Sequence, residues 1–266
     1  MNCSMVTATE FNNQLVLLGA SNLTRGLATV VETARFICGG PSRVLVAAGH
    51  GRSYGVYSRV LFRGLPGITR CGLWDDLATG PKLTTFALLT DLGNDIAYEK
   101  SVDEIIGWIL SCIERLAEHQ ARIIITALPL QSLERLTPGL YGLFRAMFFP
   151  GRHLSLQQAI ERARAINGVL RRLAPERGIA LVEQQSEWYG VDPIHIRRRV
   201  ISTAYDIILR HWIPCDYGER FPSRFGIRDR LGFFRLSPQH QRLFGFDRYS
   251  QQPTGVFPDG STVSLY

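Results

Sequence analysis

Over the first 212 residues of the chain, short apolar runs alternate with longer stretches in which apolar residues recur every three or four positions. Leu15-Val16-Leu17-Leu18 has no polar alternation and ends at Gly19, the pattern of a strand buried on both faces. Residues 23–37 then set Leu23, Leu27, Val30, Val31, Ala34 and Ile37 along one stripe of a helix. The alternation continues. Val44-Leu45-Val46-Ala47-Ala48, Thr85-Phe86-Ala87-Leu88-Leu89, Ile123-Ile124-Ile125 and Ile179-Ala180-Leu181-Val182 are predicted strands. Ser101-x-x-Glu104 and Ser155-x-x-Gln158 are capping boxes that open helices, and a last helix is predicted from Ile196 to Trp212. Residues 52–82 carry mixed signals and predict no defined element.

Apolar strands separated by helices pair in parallel through right-handed crossovers. The expected fold is therefore α/β: a three-layer α/β/α sandwich around a flavodoxin-like, doubly wound, five-stranded parallel sheet of order 2-1-3-4-5. Residues 213–266 hold seven of the 14 phenylalanines, with prolines and glycines and no helical period. They are expected to form an irregular extension packed on a domain of residues 1–212, ending in a hairpin around Pro258-Asp259-Gly260-Ser261.

Composition removes several function classes. No apolar run approaches the ~18 residues of a membrane span, and residues 1–13 lack the pattern of a signal peptide, so a cytoplasmic location is expected. Five cysteines without paired short spacing predict neither a disulfide framework nor a Cys-x-x-Cys metal site. The net charge of +7 is almost all arginine, since Lys82 and Lys100 are the only lysines. The arginines are scattered, so a nucleic-acid surface is not expected.

In doubly wound sheets the working residues gather beyond the carboxyl ends of the strands. The first predicted strand leads through Gly19-Ala20 to Ser21 at a helix start, either an exposed serine or a plain N-cap. The second leads to Gly49-His50-Gly51-Arg52-Ser53, and the third to Asp91-Leu92-Gly93-Asn94-Asp95, each readable as a simple turn. The fifth is followed by Asp192-Pro193-Ile194-His195, where the acid can reach the ring within one turn.

Ser, Gly, Asn and Asp-x-x-His in this order resemble the four blocks of the SGNH superfamily of GDSL-type esterases and lipases, across about residues 14–212. The resemblance implies Ser21 as nucleophile, His195 as base and Asp192 as its partner. It implies an oxyanion hole of Ser21, Asn94 and a glycine, either Gly49 or, preferred, Gly51. Where the family commonly reads Gly-Asp-Ser this chain has Ala20, which deprives the turn of one polar support. His50 is expected at the rim as a substrate contact. Residues 138–150, with Phe148 and Phe149, are expected as an acyl-pocket wall or as cover for the core. The implied activity is hydrolysis of a small-molecule or saccharide ester carrying a short to medium acyl group, with no metal and no organic cofactor. Acyl transfer by the same triad, and a catalytically silent binding protein, remain the alternatives.

Overall fold

The computed structural model describes residues 10–148, 151–213 and 232–266. Strand β1 (Asn13–Leu18) is followed by helix α1 (Ser21–Cys38) and strand β2 (Ser42–Ala47). Short strands β3 (Ser58–Val60) and β4 (Arg63–Leu65) and helix α2 (Leu73–Thr79) occupy the stretch that the sequence leaves undefined. Then come β5 (Thr85–Leu89), α3 (Asn94–Ala97), α4 (Val102–Glu118), β6 (Arg122–Thr126), α5 (Leu130–Glu134), α6 (Pro138–Phe148), α7 (Leu156–Glu176) and β7 (Ala180–Val182). Helix α8 (Ile201–Leu209), the hairpin β8 (His240–Leu243) and β9 (Phe246–Tyr249), and strands β10 (Gly255–Val256) and β11 (Thr262–Leu265) complete the order.

Strands β2-β1-β5-β6-β7 lie side by side and parallel, which is the expected 2-1-3-4-5 order. The sheet has seven strands rather than five. Strand β11 adds in parallel to the outer edge of β2, with Val263 opposite Val44, and β10 pairs antiparallel to β11 as the expected hairpin. Successive side chains of β1 serve opposite layers. Leu15 and Leu17 pack with α1 and α8, while Val16 and Leu18 pack with α2, α4 and α7. Both expected capping boxes form at α4 and α7, each leaving two otherwise orphan N–H groups satisfied.

Two expectations need correction. The helix expected from Ile196 begins as an α-helix only at Ile201, after a 3₁₀ turn at Arg198–Val200. The reason is local: Ile196 N–H donates to the side chain of Asn22 and Arg197 N–H to the Trp188 carbonyl, so the backbone there is bound elsewhere. Residues 232–266 also hold more regular structure than their composition suggests. Strands β8 and β9 join β3 and β4 in a second, antiparallel four-stranded sheet. Its two turns are tied by the Phe244 N–H to Phe62 carbonyl bond, with the Phe62 and Phe244 rings stacked at 4.9 Å.

Candidate active site

Helix α1 begins at Ser21 with neither a side-chain cap of its own nor an acid in its first turn. Its exposed N–H groups would be costly to leave unpaired in a buried turn. Asp91, just beyond β5, supplies the acceptor from another strand. Its Oδ2 takes the N–H groups of Ala20, Asn22 and Leu23 at 2.8, 3.0 and 3.1 Å. Asp91 does this in the left-handed backbone region, at φ +60, which aspartate tolerates better than most residues. A carboxylate at a helix N-terminus is also favoured by the helix dipole. The polar support that Ala20 cannot provide thus comes from Asp91. The Ser21 N–H lies between the donors that Asp91 collects, and among the described residues no acceptor engages it.

Asp192 and His195 follow β7. Asp192 Oδ1 accepts the N–H groups of Ile194 and His195, each at 3.2 Å, closing a tight turn. Its Oδ2 lies 2.7 Å from His195 Nδ1. That contact assigns the ring proton to Nδ1 and leaves Nε2 as the acceptor. Burial acts to raise the Asp192 carboxyl, but the His195 hydrogen bond and charge, with the two backbone donors, outweigh it and hold the pKa below the ordinary value.

Asn22 joins these two pieces. Its Nδ2 donates to Asp91 Oδ1 at 2.7 Å and to the Ile194 carbonyl at 2.9 Å, and its Oδ1 accepts from Ile196 N–H at 2.8 Å. The residue after the serine is thereby bonded to both chain neighbours of His195.

Asn94 starts α3 and donates one amide hydrogen to the Arg52 carbonyl at 3.1 Å. The amide carries two hydrogens, so one remains. Its neighbour Asp95 is fully buried and holds the loop after β2, accepting from Ser53 Oγ and from Tyr54 N–H. Desolvation raises the Asp95 pKa to about 6 against the pull of these donors. Gly51 sits in the same loop at φ +62, and a β-carbon there would come 2.5 Å from Val60 Cγ2. At Gly49 a β-carbon would come 2.4 Å from Leu65 Cδ1. Both glycines let β3 and β4 pack closely on this loop, and among the described residues no acceptor engages either N–H.

His50, between them, is solvent-exposed on one side. Partial burial first, then the positive fields of His195, Arg63 and Arg25, lower its pKa.

An apolar cleft of about 120 Å³ opens from Ser21, Asn22, Asp91 and Asn94. It runs between Leu92, Ile96, Leu128, Leu133 and Leu136, with Tyr141 and Arg145 contributed by α6. The segment 138–150 thus reaches the cleft through Tyr141 and Arg145. The Phe148 side chain and Phe149 lie outside the described residues. Among the described residues, no three His, Cys, Asp or Glu side chains gather as a metal site.

Asp91 and Asn22 were not foreseen as functional. Asp91 stands in the same Asp-Leu-Gly-Asn-Asp stretch that marks Asn94, but its bonds run to residues about seventy positions away, which no spacing rule reaches.

No protein-family model matches the chain, and no curated protein does. Solved structures do. One superposes at a TM-score of 0.51 with 13% identity, covering 74% of this chain and 95% of that chain. The native aryl esterase of M. smegmatis gives a TM-score of 0.48 at 16% identity, covering 74% and 96% of the two chains. A lipolytic G-D-S-L family protein of Veillonella parvula gives 0.48 at 14% identity, covering 76% and 97%. At such identities the likeness is one of fold. The α/β/α layers and the 2-1-3-4-5 strand order are shared with the structure that superposes at a TM-score of 0.51.

Proposed function

We propose that the chain is a serine hydrolase of carboxylic esters with Ser21 as nucleophile. The observation that carries this reading is the 2.7 Å contact between His195 and Asp192 beside a cleft lined by Ser21 and Asn94. A serine hydroxyl attacks an ester only if its proton is removed, and His195 Nε2 is the base assigned to it. Asp192 keeps the tautomer and stabilises the imidazolium without taking the proton. Attack forms the Ser21 Oγ–carbon bond and moves the carbonyl electrons onto oxygen. The Ser21 N–H, the free Asn94 hydrogen and a glycine N–H, by preference that of Gly51, receive that charge. The imidazolium then protonates the departing alcohol, and water releases the acyl group from Ser21 by the same steps.

The apolar lining of the cleft by Leu92, Ile96, Leu128, Leu133 and Leu136 supports an acyl group seated there, and short to medium chains are the expected substrates. His50, on the open side, is assigned to the alcohol portion of the ester. A fluorophosphonate is expected to add one phosphonyl group, on Ser21, by intact mass and peptide mapping. Chromogenic esters of increasing acyl length are expected to show turnover that Ser21→Ala abolishes. Labelling of a different serine in active protein overturns the assignment. Turnover that requires an added alcohol acceptor makes the enzyme an acyltransferase.

A further inference from the structure

We infer that Asn22 and Asp91 form a positioning pair that fixes His195 relative to Ser21; the inference rests on the serine-hydrolase reading above. Four observations converge on it. Asn22 directly follows Ser21, is 6% exposed, and spends both amide hydrogens and its oxygen on three partners. Two of those partners, the Ile194 carbonyl and the Ile196 N–H, flank His195 on either side. The third is Asp91 Oδ1, while Asp91 Oδ2 holds the backbone of residues 20, 22 and 23 around the serine. Among the described residues the Asp192 carboxylate bonds residues 194 and 195 and none of α1, so it orients the ring within its own loop.

The amide orientation of Asn22 is unambiguous. A flip would set its oxygen against a carboxylate and a carbonyl, and its NH₂ against the Ile196 N–H. The site thus distinguishes an amide from its isosteric acid. Asp91, for its part, caps α1 yet leaves the Ser21 N–H open, so the same carboxylate that anchors Asn22 keeps an oxyanion donor available.

The purpose of such a pair is distance. Proton transfer from Ser21 to His195 depends steeply on their separation, and displacement by about 1 Å can cost ~10²-fold in rate. Neither Asn22 nor Asp91 needs to touch the reacting atoms to have that effect; both act through residues that do.

The test uses the full chain with four variants: Asn22→Ala, Asn22→Asp, Asp91→Asn and the double variant Asn22→Asp/Asp91→Asn. Each is measured for thermal midpoint, kcat and KM on a chromogenic ester, and rate of fluorophosphonate labelling. We expect Asn22→Ala to lower kcat and the labelling rate together by ~10–100-fold with KM within about twofold, in protein that is still folded at the assay temperature. Asn22→Asp is expected to be the worse single variant, because it faces an acid with an acid. The double variant restores a donor–acceptor match between positions 22 and 91 and is expected to recover about tenfold of the kcat lost by Asn22→Asp.

Wild-type kcat in Asn22→Ala overturns the pair, as does a raised KM at unchanged kcat, which would make Asn22 a substrate contact. Losses that follow only the unfolded fraction, or failure of both Asn22 variants to fold, also overturn it, since the network would then be structural alone. An inert wild type, with neither turnover nor labelling, overturns the hydrolase reading itself and is thereby told apart from failure of the pair.

Discussion

Asp192 and Asn94 act at different moments of the proposed reaction, and substituting each separates them. Asp192→Asn keeps the shape of the turn but favours the wrong imidazole tautomer, so kcat is expected to fall by ~10⁴-fold. Asn94→Ala removes one donor to the oxyanion, with kcat lower by ~10²–10³-fold and KM little changed. Steady-state kinetics on one chromogenic ester checks both, and an Asn94→Ala effect confined to KM would reassign that side chain to ground-state binding. Asp95 yields a prediction about stability rather than rate. Its pKa is raised by burial from 3.8 to about 6, so between these values the folded chain holds a proton that the unfolded chain has released. Its contribution is therefore full below pH ~4 and is lost as pH rises through about 6, by about 3 kcal/mol at 1.36 kcal/mol per unit. Urea unfolding from pH 4 to 7 is expected to show this decline in the wild type relative to Asp95→Asn, and parallel curves would refute it. At this scale the sequence exposes what is local. Asp192 and His195 are three positions apart, so their pairing is readable. Asp91 and Asn22 meet across about seventy residues, and only the parallel pairing of β1 with β5 brings them together.

Helix α6 forms one wall of the cleft through Tyr141 and Arg145, which are one turn apart and so share a face. If Tyr141 bounds the acyl group, Tyr141→Ala lengthens the space available. The preferred acyl chain is then expected to shift upward, with each added buried CH₂ contributing up to ~0.8 kcal/mol, or roughly fourfold in kcat/KM. An acetyl ester should be turned over nearly as before. A lowered thermal midpoint with an unchanged long-to-short ratio would instead make α6 a cover for the core. Element boundaries were legible where local chemistry sets them, as at the two serine capping boxes. They were not legible where distant partners compete for the backbone. Ile196 has helical spacing with Val200 and Ala204, yet Asn22 takes its N–H, and the α-helix starts later. The strands of the second sheet were hidden for a different reason: none exceeds four residues, too few for alternation to register.

At the scale of the whole molecule, the five-strand order follows from sequence because each strand carries an apolar run and each crossover contains a helix. The joining of β11 to β2 could not be read, since a parallel pair between such distant segments leaves no trace in either segment's own pattern. That pairing has a consequence for biosynthesis. Five of the six residues of β2 are buried, and until residues 262–265 arrive its outer edge presents unpaired backbone groups beside apolar side chains. Most of the chain separates the two strands, so at about 5–20 residues per second the edge stays open for on the order of ten seconds or more during translation. An open apolar strand edge is a template for pairing with another nascent chain. The time during which this protein is most prone to aggregate is thus set by the ribosome's pace rather than by the speed of any folding step, and slowing elongation after β2 should lower its soluble yield.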